Sequence, residues 1–238
     1  MQSPLVELPF PPGVPFRLGI SSYKVLQEFK NDFFAQTLLL TDLKEQKKYV
    51  LKISRIKTPS LRPFFQFLLN WLGKREAKIY YYLQGTTGIP RLIDAYSNWF
   101  IHEYIEGENL KNFRQVSDTF FDELLQIFHT IHQKGIVYVD SAKKDNILVG
   151  SDQKPYLIDF QISLFFRTKK RKPTKIHKIF IQEDLYHIYK HKRSIRSDLI
   201  NEEERKIWEK ESKIHALHNY FLVKPFHWFK RKYLPSYF

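Results

Sequence analysis

Apolar and polar positions alternate from Tyr23 onward, and three stretches read as strands: Val25 to Phe29, Ala35 to Thr41 and Tyr49 to Ile53. Polar turns separate them, so the pattern predicts an antiparallel meander. The period then widens. Residues 61–72 are strongly apolar, and Leu72, Ile79, Tyr80 and Leu83 mark one face of a helix that runs to about Leu83. Two short strands follow, near Leu92 to Tyr96 and Trp99 to Tyr104. Ser117, Asp118 and Thr119 offer N-caps for a second helix, whose Phe121, Leu124, Leu125, Phe128 and Ile131 recur at helical spacing until Gly135 stops it. Ile147 to Val149 and Tyr156 to Phe160 then flank a polar turn as a hairpin. Five strands around one helix, followed by a helix and a hairpin, predict an α+β fold of two lobes. No internal repeat interrupts this order.

Composition narrows the possibilities. Of the 238 residues 43% are hydrophobic, with 21 Phe and 14 Tyr, too many for a disordered chain. The absence of cysteine removes disulfides, thiolate nucleophiles, Fe–S clusters and Cys-ligated zinc. The N-terminus lacks a basic segment followed by a long apolar one, and no apolar run approaches eighteen residues, so a cytoplasmic protein is expected. The net charge of +14 is unevenly spread: residues 1–164 hold 20 Lys/Arg against 17 Asp/Glu, and residues 165–238 hold 19 against 8. Such an excess suits nucleic acid, anionic lipid or an acidic substrate, and charge alone does not choose among them.

Several charged residues stand where their surroundings are apolar. Alternation in Tyr49–Ile53 places Val50 and Lys52 on one strand face, opposite Tyr49, Leu51 and Ile53. Glu76 interrupts the apolar stripe of the first helix, where a carboxylate is costly without a partner. Each supplies what the other lacks, although two exposed side chains at element ends would also fit. Farther on, Asp140, Lys143, Lys144, Asn146 and Asp159 converge on loops flanking the hairpin. Asn146 and Asp159 are hard oxygen ligands suited to Mg²⁺, either lysine can neutralise a phosphoryl group, and Asp140 can accept or orient a hydroxyl proton. The plain alternative is a turn made by Asp145 and Asn146, with Asp159 capping a strand.

In this order, strand lysine, helix glutamate, loop Asp and Asn, then Asp-Phe, the arrangement resembles the protein-kinase fold from about Tyr23 to His191. The resemblance implies a five-stranded antiparallel N-lobe sheet with helix C, and a reduced, mainly helical C-lobe. It implies ATP and Mg²⁺ as cofactors. Lys52 then holds the α- and β-phosphates, with Glu76 as its partner. Phe100 to Leu110 resembles a kinase hinge, with His102 as gatekeeper, Glu103 and Ile105 offering backbone groups to adenine, and Glu108 reaching the ribose. Val50 and Leu148 would sandwich adenine, and Tyr80, Tyr138 and Phe160 would stack as a hydrophobic spine. Asp140 matches the catalytic aspartate, Asn146 and Asp159 the metal ligands, and Lys143 or Lys144 the phosphate-facing lysine.

The chain also departs from that family. Glu28 to Gln36, where a glycine-rich loop covers the phosphates in kinases, has no glycine, so Lys30 or Asn31 would have to supply contacts. Asp140 and Asn146 stand six positions apart where protein kinases use five. Tyr138-Val139-Asp140 lacks the arginine that reads a phosphorylated activation loop, no Ala-Pro-Glu follows, and Asp184 to Lys192 resembles a shortened helix F. Compact bacterial serine/threonine protein kinases, lipopolysaccharide core sugar kinases and RIO-type kinases share this economy.

The expected organisation is an extended lead-in at 1–22, an N-lobe at 23–104, a C-lobe at 105–200 and a basic aromatic helix and tail at 201–238. The lead-in is proline-rich, and Asn201 with Glu204 suggests a capping box. The run Lys169–Lys175 suits either a solvated loop or a dock for an acidic acceptor, and 221–238 suits packing or an anionic membrane surface. His187 and His191, at i and i+4, are expected to be structural. The expected activity is transfer of the ATP γ-phosphate to a protein Ser/Thr hydroxyl. A sugar or lipid-linked hydroxyl at the inner membrane face, or a nucleotide-binding pseudokinase, are the alternatives, and nucleic acid is not an expected partner.

Overall fold

The structure is a computed structural model that describes residues 15–18, 21–31, 35–54, 62–96, 98–166 and 174–206. The chain divides into two compact units, one of residues 1–77 with 91–104, the other of 78–90 with 105–238. The basic run at 169–173 and the tail at 221–238 lie outside the described residues.

The first unit is built on a curled, six-stranded antiparallel sheet. Its strands are β1 (Pro15–Leu18), β2 (Ser21–Asn31), β3 (Ala35–Asp42), β4 (Lys48–Ser54), β5 (Leu92–Tyr96) and β6 (Trp99–Glu103), in the order β1-β2-β3-β4-β6-β5. The five expected strands are therefore present, and β1 adds a sixth at the β2 edge, within the segment read as an extended lead-in. Proline at its first position leaves the pairing of Phe16 with Tyr23 intact. Period-two alternation divides the sheet into two faces. One buries Leu18, Tyr23, Val25, Leu38, Leu40, Tyr49, Leu51, Ile53, Trp99 and Ile101 as a single apolar core. The other carries Leu39, Val50, Lys52, Phe100 and His102, because Val50 pairs with Leu39 and His102 while Lys52 pairs with Thr37 and Phe100.

Helix α1 (Arg62–Tyr82) passes close to β4 at Gly73. A Cβ there would stand 2.7 Å from the Ser54 hydroxyl oxygen, so any larger residue would require that hydroxyl to turn away. Its last turns belong to the second unit, where Ile79, Tyr80 and the following Leu83 are buried.

The second unit contains β7 (Gly107–Asn109), α2 (Phe120–Gln133), β8 (Ile136–Val137), β9 (Ile147–Gly150), β10 (Pro155–Leu157), β11 (Leu164–Phe165) and α3 (Lys175–Ile195). Strands β10-β9-β7 form one small sheet and β11-β8 another. Helix α2 buries Phe120, Phe121, Leu124, Ile127, Phe128 and Ile131, the stripe expected from its spacing with Ile127 in place of the half-buried Leu125. Thr119 occupies its N-cap, but the hydroxyl donates to Glu123 Oε1 at 2.8 Å instead of accepting a backbone N–H. Asp118 is taken by Arg196, 2.6 Å away. Gly135 ends the helical run at φ +79°, a left-handed conformation that favours glycine. Helix α3 is longer than a helix opening near Asp184: Thr174 caps it by accepting from the His177 N–H at 3.2 Å. The capping box at Asn201 forms as expected, with reciprocal bonds of 2.9 and 3.2 Å between Asn201 and Glu204.

Candidate active site

In the first unit, Lys52 Nζ lies 2.9 Å from Glu76 Oε1. Both groups are buried, the lysine 9% and the glutamate 2% exposed. The strand lysine and helix glutamate singled out from their misplaced charges thus neutralise each other, as two ions taken out of water must. Along β6, His102 is buried, and its Nδ1 stands 2.8 Å from the Glu103 carbonyl oxygen. The Glu103 N–H is already donated to Arg91, leaving its carbonyl as the group that strand position can offer a ligand. At the β2–β3 connection, the Glu28 carboxylate accepts from Asn31 Nδ2 at 3.0 Å and from Gln36 Nε2. The Glu28 carboxylate thus ties the end of β2 to the start of β3 and engages Asn31.

The second unit gathers the remaining residues. Asp140 Oδ2 accepts from Asn146 Nδ2 and from Lys143 Nζ, each at 2.8 Å. The Asn146 amide is thereby oriented with its oxygen away from Asp140, and that oxygen is the only atom of the group able to ligate a cation. The two adjacent lysines diverge. Lys143 turns onto Asp140 and stays 61% exposed, whereas Lys144 reaches Ser194 Oγ on α3 at 3.2 Å.

Backbone geometry around these groups is strained. Val139 and Asp159 adopt φ of +70° and +63°, a region that side-chain-bearing residues, β-branched ones above all, rarely occupy. Strain of this kind persists only where neighbours over-determine it. Asp184, fully buried on α3, does so for the first: it accepts from the Tyr138 N–H at 2.8 Å, the Val139 N–H at 2.9 Å and His132 Nε2 at 3.0 Å. Around the second, the Asp159 N–H donates to Tyr80 Oη at 3.2 Å and the Ile158 N–H to the Asn146 carbonyl at 3.1 Å. Strand β10 therefore stops at Leu157, short of the expected Phe160, and delivers Asp159 on a turn.

Beneath them runs an edge-to-face aromatic column. Tyr80 and Tyr138 each stand 5.1 Å from Phe160, and Phe128 stands 5.8 Å from Tyr138. Burial pushes the Tyr138 phenol well above the usual tyrosine range, and its hydroxyl donates to the Ile158 carbonyl. Tyr80, Tyr138 and Phe160 were expected to stack; Phe128 extends the stack. The role of Asp184 was missed, because a single acid in a helical stretch reads as surface until its burial is known.

Other candidates fall into place separately. Val50 is buried in the first sheet; Leu148 is half-buried in β9, paired with Asn109 and Tyr156. Glu108 is exposed on β7 and accepts from Asn112 Nδ2 at 3.2 Å. Ile105 begins the second unit's main segment. His187 Nε2 lies 3.4 Å from Glu183, and His191 donates through Nε2 to the Ser141 carbonyl at 2.8 Å, so both rings serve internal contacts. The oxygen pair of Asn146 and Asp159 fits a hard cation such as Mg²⁺.

A curled antiparallel sheet with a buried Lys–Glu pair, and a mainly helical unit bearing this loop, define the class: the chain has a protein-kinase-like fold. Solved structures share it. Rio2 kinase from Chaetomium thermophilum superposes with a TM-score of 0.56 at 13% identity, covering 78% of this chain and 63% of that one. The apo form of PpkA-294 gives 0.54 at 18% identity, covering 64% and 61%. In sequence, the chain is distantly homologous to serine/threonine-protein kinase D of Synechocystis sp., 28% identical over 151 residues, which is 59% of this chain and 30% of that protein. It is 32% identical over 136 residues to EKC/KEOPS complex subunit BUD32 of Encephalitozoon cuniculi, covering 55% and 64%. The chain thus spans under a third of the first relative and under two thirds of the second. No protein-family model matches it. Among the described residues, no helix is long and apolar enough to cross a membrane.

Proposed function

We propose that this chain is an ATP- and Mg²⁺-dependent phosphotransferase that moves the γ-phosphate to a hydroxyl, with a protein serine or threonine as its acceptor. The observation that carries this reading is the Asp140 carboxylate held between Asn146 and Lys143. Asp140 receives or orients the proton of the acceptor hydroxyl as its oxygen bonds to the γ-phosphorus and the bond to the β-phosphate oxygen breaks, releasing ADP. Lys143 is the phosphate-facing lysine, since its ammonium stands beside that carboxylate. Lys52, tethered by Glu76, holds the α- and β-phosphates. The backbone of Glu103 and Ile105 meets adenine, Val50 and Leu148 pack on its faces, and Glu108 reaches the ribose. Asn146 and Asp159 would hold Mg²⁺, which would supply positive charge to the phosphates. The name of the Synechocystis relative supports the protein acceptor.

A second reading, a pseudokinase that binds nucleotide without turnover, is favoured by the Glu28 carboxylate that ties β2 to β3, because the kinase resemblance puts that segment over phosphates, which amides serve better than a carboxylate. Purified protein with Mg²⁺ and γ-labelled ATP, offered a generic protein substrate and a crude envelope glycolipid fraction, separates the readings. Label is expected in the protein, falling about 10²- to 10⁴-fold in Asp140→Ala and lost in Asp159→Ala. Label in the glycolipid instead would assign a sugar or lipid-linked acceptor. Nucleotide binding with no transfer would favour the pseudokinase, and no nucleotide binding at all would overturn the assignment of Lys52.

A further inference from the structure

Two lysines beside the Asp140 loop remain unused by the chemistry above. Lys144 opens the 3₁₀ turn Lys144–Asn146 and extends to Ser194 on α3. Lys190 lies one helical turn before Ser194 on the same face and is exposed. Ser194 thereby stands between them, in contact with Lys144 and one turn from Lys190. Neither forms an ion pair among the described residues.

Their cationic neighbours are arranged differently. Lys143 is matched by Asp140, Lys192 by Glu204 at 2.8 Å, and Arg196 by Asp118 and Asp198. His191, also on this face, is neutral at pH 7, with its pKa lowered to about 4 by burial. It supplies a hydrogen bond to Ser141 without a third charge. Lys143, Lys192 and Arg196 are thus matched by carboxylates, whereas Lys144 and Lys190 flank Ser194 without one among the described residues. Like charges on either side of one hydroxyl repel, and an anion entering there relieves the repulsion.

We propose that Lys144 and Lys190, with the Ser194 hydroxyl, form a dock for an acidic acceptor peptide, taking a carboxylate or phosphoserine a few residues from the hydroxyl that Asp140 addresses. This rests on the protein-acceptor reading and specifies its substrate class. Lys144 adjoins Lys143 in the chain, so a peptide side chain seated on it lies within a few residues of the acceptor.

The test is fluorescence anisotropy of the full chain, without nucleotide, using two labelled serine peptides that differ only in Asp/Glu against Asn/Gln flanks. The wild type is expected to favour the acidic peptide by about tenfold, a preference that fades as salt shortens the Debye length. Lys190→Glu abolishes the preference and Lys144→Ala weakens it. Lys154→Glu, which makes the same charge change at another exposed lysine, leaves it unchanged. Equal binding of both peptides by the wild type would overturn the dock. So would an equal loss in Lys154→Glu and Lys190→Glu, which would reduce the effect to overall charge. Lys190-dependent binding of the acidic peptide with no phosphate transferred to it would sustain the dock while defeating the kinase reading.

Discussion

The two units hold their polar groups by opposite means. In the first, one buried ion pair, Lys52 with Glu76, sits on the far face of a sheet whose other face is a continuous apolar core. In the second, a branched network runs from Asp184 through the Tyr138 and Val139 amides to the loop that carries Asp140, Lys143 and Asn146. An ion pair between two side chains imposes little on the backbone. A network of fixed amides can hold φ angles that the chain would otherwise leave. The first unit presents one charge at a defined height above a sheet; the second specifies a backbone path.

The sharpest way to break this contrast is Asp184→Ala. It takes the acceptor from the Tyr138 and Val139 N–H groups and from buried His132 Nε2, and the expected loss is roughly 5 kcal/mol, a large part of a typical domain's stability. Urea denaturation would measure it, and a loss under about 1 kcal/mol would mean that the network is not what holds the loop. Glu76→Ala is next, at about 3–5 kcal/mol, because it takes the opposite charge away from a buried ammonium. The double variant Lys52→Met with Glu76→Leu should regain most of that stability while losing nucleotide affinity. Persistent destabilisation in the double variant would argue that the pair is also structurally required.

A third effect is confined to the second unit. His191 has its pKa lowered to about 4, first by burial and further by the charges of Lys144, His187 and Lys190. Below its unfolded value near 6.5 the unfolded chain binds the extra proton and the native chain resists it, so stability falls as pH drops from about 6.5 to 4. The part due to His191 amounts to about 3 kcal/mol. Urea midpoints at pH 7 and pH 4.5 should diverge less in His191→Asn than in the wild type, and an unchanged divergence would assign the acid sensitivity elsewhere. Smallest is Val139→Gly, where relief of the strained φ and added unfolded-state freedom oppose each other. The expected net change is within about 1 kcal/mol, read by thermal denaturation, with a slower phosphate transfer because the loop is held less firmly.

Much of this molecule was legible beforehand for simple reasons. Alternation in β4 put Lys52 opposite the core and Glu76 broke an apolar stripe, which allowed either their pairing or two exposed ends, and burial decided for the pair. Spacing marked α2, and the order of Lys52, Glu76, Asp140, Asn146 and Asp159 carried the fold resemblance. Local sequence was silent about β1, β7, β8 and β11, whose runs of two to four residues gain stability only from partners distant in the chain. It could not choose between Lys143 and Lys144, because adjacent side chains in an irregular loop are directed by whatever lies opposite, here Asp140 for one and Ser194 for the other. It gave Asp184 no distinction either. The sequence determined which residues alternate, which spacing is helical and which charges are out of place, because those depend on neighbours along the chain. Only the tertiary structure decided that Asp184 anchors the loop and that Lys144 meets Ser194, because burial and hydrogen-bond partners are set by residues some 40 to 50 positions away.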